Sequence, residues 1–439
     1  MSKNSENKNS SGRSLPEHEW FGILVVVLWY LAALWPAQAN WLERQKLLAS
    51  DGNATDVFGY SVSISGDYAI VGAYGDDGYK GSAYIFRWDG TNWSQQAKLT
   101  ASDGAAWDLF GCSVSISGDY AIVGAYGDNG YKGSAYIFKR DGTSWSQQAK
   151  LLASDGAAND YFGVSVSISG DYAIVGAYYD DGKGSAYIFK RDGASWSQQA
   201  KKTASDGVAS DYFGYSVSIS GDYAIVGAYG DEDNGNLSGS AYIFKRDGTS
   251  WSQQAKMTAS DGAAGDNFGY SVSISGDYAI VGAYLDDDKG ADSGSAYIFK
   301  RDGTSWSQQA KLLAADGNAS DNFGWSVSIS GDLAIVGAHQ YYSGGTGKAY
   351  IFRRDGTNWS EQQKLTASDG AAEDDFGFSV SISSDYAIVG AAADDDNGNN
   401  SGSAYVFKEV VCPAADLSGD CFVDFADFAI MAAQWLQGD

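Results

Sequence analysis

The chain has 439 residues and carries 29 Lys and Arg against 55 Asp and Glu, which gives a formal net charge of −26. A surface of that sign repels nucleic acid and anionic lipid, so functions that depend on a basic patch are excluded. The chain holds only two His, His18 and His339, which argues against catalysis or zinc binding based on His clusters.

The N-terminal segment, residues 1–39, is predicted to be a secretory signal peptide. A nearly unbroken apolar run from Trp20 to Trp35 is followed by a small-x-small pattern that ends at Ala39, which predicts cleavage before Asn40. An uncleaved membrane anchor is the alternative, although the run is short for a bilayer span of ~20 residues. In either case we expect the rest of the chain to be secreted or held at the cell surface, with no stable membrane span once the signal is removed.

A Phe-Gly pair recurs seven times after this segment, at intervals of roughly 50 residues, a period typical of propellers and arrays. The pairs begin at Phe58, Phe110, Phe162, Phe213, Phe268, Phe323 and Phe376. The chain is therefore interpreted as one repeated structural unit, not as several unrelated domains.

Each repeat predicts four short antiparallel strands. In the second repeat, residues 113–117 alternate between polar and apolar side chains, as in a strand with one buried face. Residues 120–125 are apolar on both faces, and residues 133–139 and 145–151 follow as the third and fourth strands, separated by Gly- and Asp-rich turns. Seven such repeats over residues 40–409 predict an all-β fold, a seven-bladed β-propeller of four-stranded antiparallel blades.

The two ends of the array predict how the ring closes. The seventh repeat stops after its third strand, at residues 403–408, and the missing fourth strand is matched by residues 41–49. The N-terminal strand is therefore predicted to become the outer strand of the last blade, because this removes two exposed sheet edges.

Phe-Gly, a strand and then Val-Gly-Ala together resemble the FG-GAP repeats of the integrin α-chain propeller, in a bacterial variant with short turns. The resemblance covers roughly residues 40–409 and implies a propeller used for binding or cell adhesion. The calcium sites of integrin-type blades are not expected here. The connection from Ser117 to Tyr120 is too short to wrap a cation that needs six or more oxygen ligands.

Sequence variation and acidity concentrate in the loop between the second and third strands and in the linkers between blades, which we expect to share one face. Two interpretations stay open for this face, a binding surface assisted by cations or ordinary solvated turns. The linker residues Asp56 and Asp108 and the turn residue Asp119 are interpreted as turn-forming residues. The recurrent Trp, such as Trp145, is interpreted as packing between blades, with a sugar platform as the alternative.

The C-terminal segment, residues 410–439, predicts a calcium-binding loop followed by a short helix, because oxygen donors have the spacing of an EF-hand loop. These donors are Asp416, Ser418, Asp420, the Phe422 carbonyl, Asp424 and Asp427. The Asp at the last position resembles the calcium repeat of dockerins and implies a cohesin-like partner, although dockerins have two such repeats. Cys421 replaces the usual Gly, and a disulfide with Cys412 is an alternative. Cys112 is predicted to be a buried free thiol.

Three functions are compatible with these features. The first is an exported, non-catalytic propeller that binds a protein or carbohydrate and is attached through the calcium-binding tail. It is favoured because an active site needs one asymmetric cluster, whereas the blades are nearly alike. The alternative is a polysaccharide-degrading enzyme of the glycoside hydrolase or lyase class, or an accessory component of a polysaccharide-degrading complex. No carboxylate pair with an apolar surround is evident, however. The third is a surface-layer or adhesion scaffold that spaces other modules.

Overall fold

The computed structural model describes residues 39–340 and 344–412, together with Cys421 and residues 429–430. The chain divides into two compact units, of which residues 41–408 form the larger and the flanking segments form the other. The larger unit is built from seven four-stranded antiparallel sheets, which confirms the predicted seven-bladed β-propeller.

The strands follow the chain from blade to blade. Blade 1 consists of β2 (Ser61–Ser65), β3 (Tyr68–Ala73), β4 (Ser82–Trp88) and β5 (Trp93–Leu99). Blade 2 consists of β6 (Ser113–Ser117), β7 (Tyr120–Ala125), β8 (Ser134–Asp141) and β9 (Ser144–Leu151). Blade 3 consists of β10 (Val166–Ser169), β11 (Tyr172–Ala177), β12 (Ser185–Asp192) and β13 (Ser195–Lys202). Blade 4 consists of β14 (Val217–Ser220), β15 (Tyr223–Ala228), β16 (Ser240–Asp247) and β17 (Ser250–Met257).

The remaining blades repeat the pattern. Blade 5 consists of β18 (Ser271–Ser275), β19 (Tyr278–Ala283), β20 (Ser295–Asp302) and β21 (Ser305–Leu312). Blade 6 consists of β22 (Ser326–Ser330), β23 (Leu333–Ala338), β24 (Lys348–Asp355) and β25 (Asn358–Leu365). Blade 7 consists of β26 (Phe376–Ser383), β27 (Tyr386–Ala391), β28 (Ser403–Val411) and β1 (Ala39–Leu47). Within the described residues of the propeller, helical structure is confined to short turns, Asp76–Tyr79, Asp128–Tyr131 and the 3-10 turn Asp180–Gly182.

The N-terminal strand closes the ring as predicted. The sheet of blade 7 has the strand order β1-β28-β27-β26, so β1 is its outer strand. Trp41 of β1 is buried in the same cluster as Tyr405 of β28 and Leu365 of blade 6. The ring is thus closed by strand pairing and by apolar packing, and the outer edge of β28 is covered.

The hydrophobic core lies between neighbouring blades. Each of seven clusters combines residues from two adjacent blades; one of them joins Ile85 and Leu99 of blade 1 to Val114 and Val123 of blade 2. The second strand of each blade is buried on both faces, because the two neighbouring blades cover it. This explains why residues 120–125 are apolar throughout.

The Phe-Gly pair is a contact between one blade and the next. The Phe110 ring is fully buried edge-on against Tyr136, with the ring centroids 5.5 Å apart, and also contacts Phe138. Gly111 has a φ of +94°, and a Cβ atom on it would lie 2.2 Å from the carbonyl oxygen of Ser82 in blade 1. Only glycine allows the two backbones to approach this closely.

Serine side chains of the innermost strands connect the blades around the central axis. The Oγ atoms of Ser61 and Ser63 accept hydrogen bonds from the backbone N–H groups of Val114 (3.0 Å) and Ile116 (3.2 Å). The same contact joins blade 7 to blade 1, where Ser381 Oγ accepts from Ile64 N at 3.2 Å. The serines at the polar positions of the alternating pattern therefore link each blade to the next by hydrogen bonds.

The described residues of the flanking unit include Cys412 and Cys421, which are joined by a disulfide with Cα atoms 4.5 Å apart. The free cysteine Cys112 is buried, as expected. Across the residues placed by the structure, no helix has the length and apolar character required to cross a bilayer.

Candidate ligand-binding face

One face of the propeller carries the loops between second and third strands together with the linkers between blades, and we call it the loop face. The two kinds of segment touch directly: the Gly75 N–H donates to the Asp56 carbonyl and the Gly127 N–H to the Asp108 carbonyl, both at 3.1 Å. The predicted placement of the variable loops beside the linkers is therefore correct.

The linker Asp residues hold the turn before each Phe-Gly pair, as interpreted. Asp108 is buried, and its Oδ2 atom accepts a hydrogen bond from the Ala105 N–H at 2.7 Å. Burial raises the pKa of this carboxyl above its usual value of 3.8, because desolvation disfavours the charged form. The equivalent contacts in the other blades are made by Asp56, Asp160, Asp211, Asp266, Asp321 and Asp374.

A second group of carboxylates is held by lysine. In blade 2, Lys150 Nζ lies 2.7 Å from Asp103 in the linker and 2.6 Å from the buried Asp128 in the variable loop. The Tyr136 hydroxyl donates to Asp103 at 3.0 Å, and Ser134 donates to Asp128. We call the contact of Lys150 with these two Asp residues the lysine clasp; the added hydrogen bond from the clasp Ser is also made by Ser82 in blade 1 and Ser185 in blade 3.

The lysine clasp recurs in six blades. Its Lys and two Asp residues elsewhere are Lys98 with Asp51 and Asp76, Lys201 with Asp155 and Asp180, Lys256 with Asp206 and Asp231, Lys311 with Asp261 and Asp286, and Lys46 with Asp369 and Asp394. In each of these blades an ammonium group therefore occupies the space between two carboxylates. Within residues 39–340 and 344–412, no group of three or more His, Cys, Asp or Glu is arranged to hold a metal ion.

Blade 6 departs from this pattern. Lys348 stands at the position of the clasp Ser in other blades, and its Nζ lies 3.5 Å from Asp321 and 3.8 Å from Asp316. Lys364 also contacts Asp316, at 3.0 Å. In blade 6 two lysines therefore contact the linker carboxylates, because the variable loop has no Asp at the clasp position.

Aromatic side chains cover the centre of the loop face. The residues that follow the Phe-Gly pairs form a partial ring, in which Tyr215 and Tyr270 have centroids 4.9 Å apart and Tyr270 and Trp325 4.8 Å apart. Cys112 and Val164 stand at this position in blades 2 and 3, so the ring is interrupted there. His339 packs into the same cluster against Trp325, with a centroid distance of 4.3 Å.

Next to this interruption lies a cleft of about 490 Å³, which we call the tyrosine cleft. Its lining residues come from the linkers on either side of blade 3 and from the ends of β11 and β15. They are Asn159, Tyr161, Tyr178, Tyr179, Tyr212 and Tyr229. The volume is within the range of roughly 300–1,000 Å³ that is usual for small-molecule sites.

Two pairs of near-parallel rings face this cleft. Tyr161 and Tyr178 have centroids 5.0 Å apart at an interplanar angle of 28°, and Tyr212 and Tyr229 have centroids 5.1 Å apart at 24°. The Tyr179 ring lies edge-on to Tyr161, with centroids 6.3 Å apart at an interplanar angle of 89°, and remains 46% exposed. The result is an open aromatic site with one accessible ring.

The backbone that presents these rings is locally constrained. Tyr161 and Tyr212 immediately precede Phe-Gly pairs and have positive φ values of 58° and 56°. The Tyr161 N–H donates to the Tyr131 carbonyl at 2.9 Å, which holds the linker against the preceding variable loop. The residue before Phe-Gly has the same conformation in the other five blades, at Val57, Leu109, Asn267, Asn322 and Asp375, so the positive φ belongs to the repeat and fixes where this side chain points.

A second cleft, of about 480 Å³, lies over blade 1 and differs in chemistry. It is lined by Asp51, Asp56, Asp76, Lys80 and Lys98 among others, so the lysine clasp of blade 1 forms its floor. Beside it, the exposed Trp107 stacks on Tyr79 at a centroid distance of 4.4 Å. This cleft is charged, whereas the tyrosine cleft is not.

The face opposite the loop face is built from paired charges. Asp119 of the Ser-Gly-Asp turn forms an ion pair with Arg140 of the Lys-Arg-Asp-Gly turn, and the Arg140 guanidinium lies 4.6 Å from the ring centroid of Tyr68 in blade 1. The same ion pair joins Asp171 to Arg191, Asp222 to Arg246, Asp277 to Arg301 and Asp332 to Arg354. The interpretation of these Asp residues as turn residues is confirmed.

The recurrent Trp of the outer strand packs between blades, as interpreted. Trp145 lies against the cluster shared by blades 1 and 2, and its Nε1–H donates to Gln96 Oε1 of the preceding blade at 3.1 Å. Trp196, Trp251, Trp306 and Trp359 make the same contact with a Gln of the blade before.

The predicted calcium ligands Asp416, Ser418, Asp420, Phe422, Asp424 and Asp427 all lie outside the described residues. So do residues 1–38 of the predicted signal segment, whose last residue, Ala39, begins β1. The tyrosine cleft was not predicted from sequence. A signal for it was present: among the seven repeats, only those of blades 3 and 4 have Tyr before Phe-Gly, and only blade 3 has a Tyr-Tyr pair after Val-Gly-Ala.

Comparison with known families agrees with this architecture. A family model described as FG-GAP repeat matches the chain seven times, at residues 41–86, 93–138, 145–189, 196–244, 251–299, 306–352 and 359–407. No curated protein matches the sequence.

Proposed function

The chain belongs to the FG-GAP repeat family, and on that premise we propose that it is an exported, non-catalytic binding module, of the kind used in adhesion. Its loop face takes a protein or carbohydrate ligand. The observation that carries this proposal is the tyrosine cleft, an open aromatic site on the face where the blades differ most in sequence. Tyr is among the residues most enriched where proteins meet their ligands.

A non-catalytic role is supported by the state of the carboxylates. General acid–base chemistry needs a carboxylate that can exchange a proton with substrate. On the loop face, Asp128 is held by Lys150 and Ser134, and Asp108 is held by a backbone N–H. The Lys contact recurs in six blades and the backbone contact of the linker Asp in all seven, as expected of structural residues.

Attachment is assigned to the C-terminal tail. The donor set of Asp416, Asp420, Asp424 and Asp427, with Ser418 and the Phe422 carbonyl, consists entirely of hard oxygen ligands, which suit Ca²⁺. This loop would hold Ca²⁺, and a dockerin-like tail would then join the propeller to a cohesin-like partner. Export is proposed from the apolar segment and cleavage pattern of residues 1–39.

The test is retention of the purified full chain on immobilised polysaccharides and adhesion proteins, with turnover measured in parallel. A matched pair of variants places a long cation on each face. Val208→Arg alters the loop face, where Val208 is 55% exposed, and Ala194→Arg alters an exposed turn on the opposite face. Loss of retention in Val208→Arg alone is expected. Release of soluble products, or equal retention by both variants, would overturn the proposal.

A further inference from the structure

The tyrosine cleft depends on the sequence of blade 3. At the position of Tyr179, blades 1, 2 and 4 have Gly75, Gly127 and Gly230, where a Cβ atom would lie within 2.1 Å of a linker carbonyl oxygen. In blade 3 the Tyr179 N–H is 3.4 Å from the Asp160 carbonyl, longer than the 3.1 Å of the equivalent glycine contacts. The variable loop of blade 3 is therefore seated less closely on its linker, which leaves room for the Tyr179 side chain.

The variable loop of blade 3 is also shorter than those of blades 1 and 2 and lacks the Tyr that stands at their end. The loops of blades 1 and 2 carry Tyr79 and Tyr131 before their Lys, whereas in blade 3 Gly182 directly precedes Lys183. The tyrosine of this blade thus stands at the start of the loop instead of its end. Its ring borders the cleft together with Tyr212, at a centroid distance of 6.3 Å and an interplanar angle of 20°.

The chemistry of the lining is aromatic, hydroxylated and uncharged. Five phenols and the Asn159 amide line the cleft, and in a chain with 55 acidic residues not one carboxylate is among them. Burial raises the pKa of Tyr178 to about 12, so its hydroxyl is protonated at neutral pH and both donates and accepts hydrogen bonds. The cleft therefore combines aromatic ring faces with neutral groups that donate and accept hydrogen bonds.

This combination matches one class of ligand. A pyranose ring has an apolar face of C–H groups that packs on the electron-rich face of an aromatic ring, and equatorial hydroxyl groups that bond to neutral donors and acceptors. An anionic ligand is repelled by the net charge of −26, and a cation would be drawn to the carboxylates of the charged cleft over blade 1.

We propose that the tyrosine cleft binds a neutral saccharide, with a pyranose ring packed on Tyr179 and its hydroxyl groups bonded to Asn159 and to the surrounding phenols. This inference rests on the proposed binding function of the loop face and narrows it to one site and one ligand class. The space of about 490 Å³ accommodates a small number of sugar units, so the ligand is an oligosaccharide or an internal stretch of a longer glycan.

The experiment is calorimetric titration of the full chain with neutral hexasaccharides of β-1,4-linked glucose, xylose and mannose. Tetramethylammonium chloride and oligogalacturonate serve as cationic and anionic probes. Variants are Tyr179→Ala, Tyr179→Phe and Asn159→Gly, the last chosen because Asn159 has a positive φ of 68°. Leu285→Ala is the matched control, since Leu285 occupies the position of Tyr179 in blade 5. Circular dichroism establishes that each variant is folded.

We expect one neutral hexasaccharide to saturate a single site, with affinity about tenfold weaker or worse in Tyr179→Ala, which corresponds to ~1.4 kcal/mol. Tyr179→Phe should lose less, because it keeps the ring, and Leu285→Ala should bind normally. Tighter binding of tetramethylammonium or oligogalacturonate would overturn the proposal, and so would equal affinity in Tyr179→Ala. Suppose that Tyr179→Ala binds the saccharide as tightly as the unmodified chain, but Val208→Arg does not bind it. The loop face would then keep its proposed binding function, and only the assignment of the ligand to the tyrosine cleft would fail.

Discussion

Lys46 Nζ lies 2.9 Å from Oδ2 of Asp394, although the two residues are 348 positions apart in the chain. Asp394 is 5% exposed and also accepts a hydrogen bond from Tyr405 at 3.0 Å. Lys46 belongs to β1 and Asp394 to the variable loop of blade 7. The lysine clasp of that blade thus joins the first strand of the ring to the last repeat.

The first prediction concerns this closure. Removal of residues 1–49 should destabilise the propeller by about 4 kcal/mol or more, because Trp41 and Leu47 are both buried and each contributes ~1.5–3 kcal/mol. It also exposes the edge of β28 and should promote association through that edge. Denaturant unfolding and light scattering measure the two effects. A chain that lacks only residues 1–38 is the control, and a peptide of residues 39–49 should restore stability. Equal stability of both truncated chains would contradict the closure.

The second prediction concerns the Phe-Gly contact. Gly111→Ala places a Cβ atom 2.2 Å from the Ser82 carbonyl oxygen and forces a φ of +94° on alanine, so we expect a loss on the order of 3 kcal/mol or more. Gly118→Ala is the matched control: it also has a positive φ, 58°, but no heavy atom lies within 4 Å of its added Cβ. It should cost about 1 kcal/mol. Similar urea midpoints for the two variants would contradict the role of Gly111.

The fold could be predicted because its determinants are local and repeated. The alternation of residues 113–117, the apolar run of residues 120–125 and the Phe110-Gly111 pair each specify one element, and the period specifies how many copies there are. The placement of Lys150 beside Asp103 could not be predicted in this way, because the pairing depends on how a linker and an outer strand meet in space.

The tyrosine cleft escaped prediction for a related reason. Tyr161, Tyr178 and Tyr212 lie in three separate segments and contribute to one site only through the contact of two adjacent blades. In the sequence, the substitution of Tyr at these positions of the repeat cannot be told from the ordinary variation between repeats. Deviations at topologically equivalent positions of neighbouring blades would have been the informative signal.

The third prediction concerns calcium at the tail. The full chain should bind Ca²⁺ with one site of the EF-hand type, and the double variant Asp416→Asn, Asp420→Asn should lose this binding, because it removes two anionic ligands. Calorimetric titration measures the binding. Asp287→Asn and Asp292→Asn, which alter acidic residues of the blade 5 loop, are the controls and should leave it unchanged. Binding that survives the tail variants but is lost in the blade 5 variants would place the calcium in the propeller instead.

The fourth prediction concerns stability against pH, which is set by two groups of Asp with opposite pKa shifts. Burial raises the pKa of one group, the linker residues Asp56, Asp108, Asp160, Asp211, Asp266 and Asp374. The pKa is lowered in the other group, the clasp residues Asp51, Asp103, Asp155, Asp206, Asp261 and Asp369, together with Asp316, which contacts Lys348 and Lys364 in blade 6. In Asp103 the hydrogen bond from Lys150 is the main cause.

The signs of these shifts predict a maximum of stability in mild acid. A carboxyl whose pKa is raised in the folded state destabilises the fold while it is charged. This destabilisation disappears as the pH falls through the raised pKa, which lies above 3.8. A carboxyl with a lowered pKa stabilises the fold fully above 3.8, and that contribution is lost as the pH falls below 3.8 through the folded pKa. Urea unfolding across the pH range measures the profile. Asp108→Asn should flatten its neutral side and Asp103→Asn its acidic side. A profile that falls steadily from neutral pH downward, unchanged in both variants, would contradict this assignment.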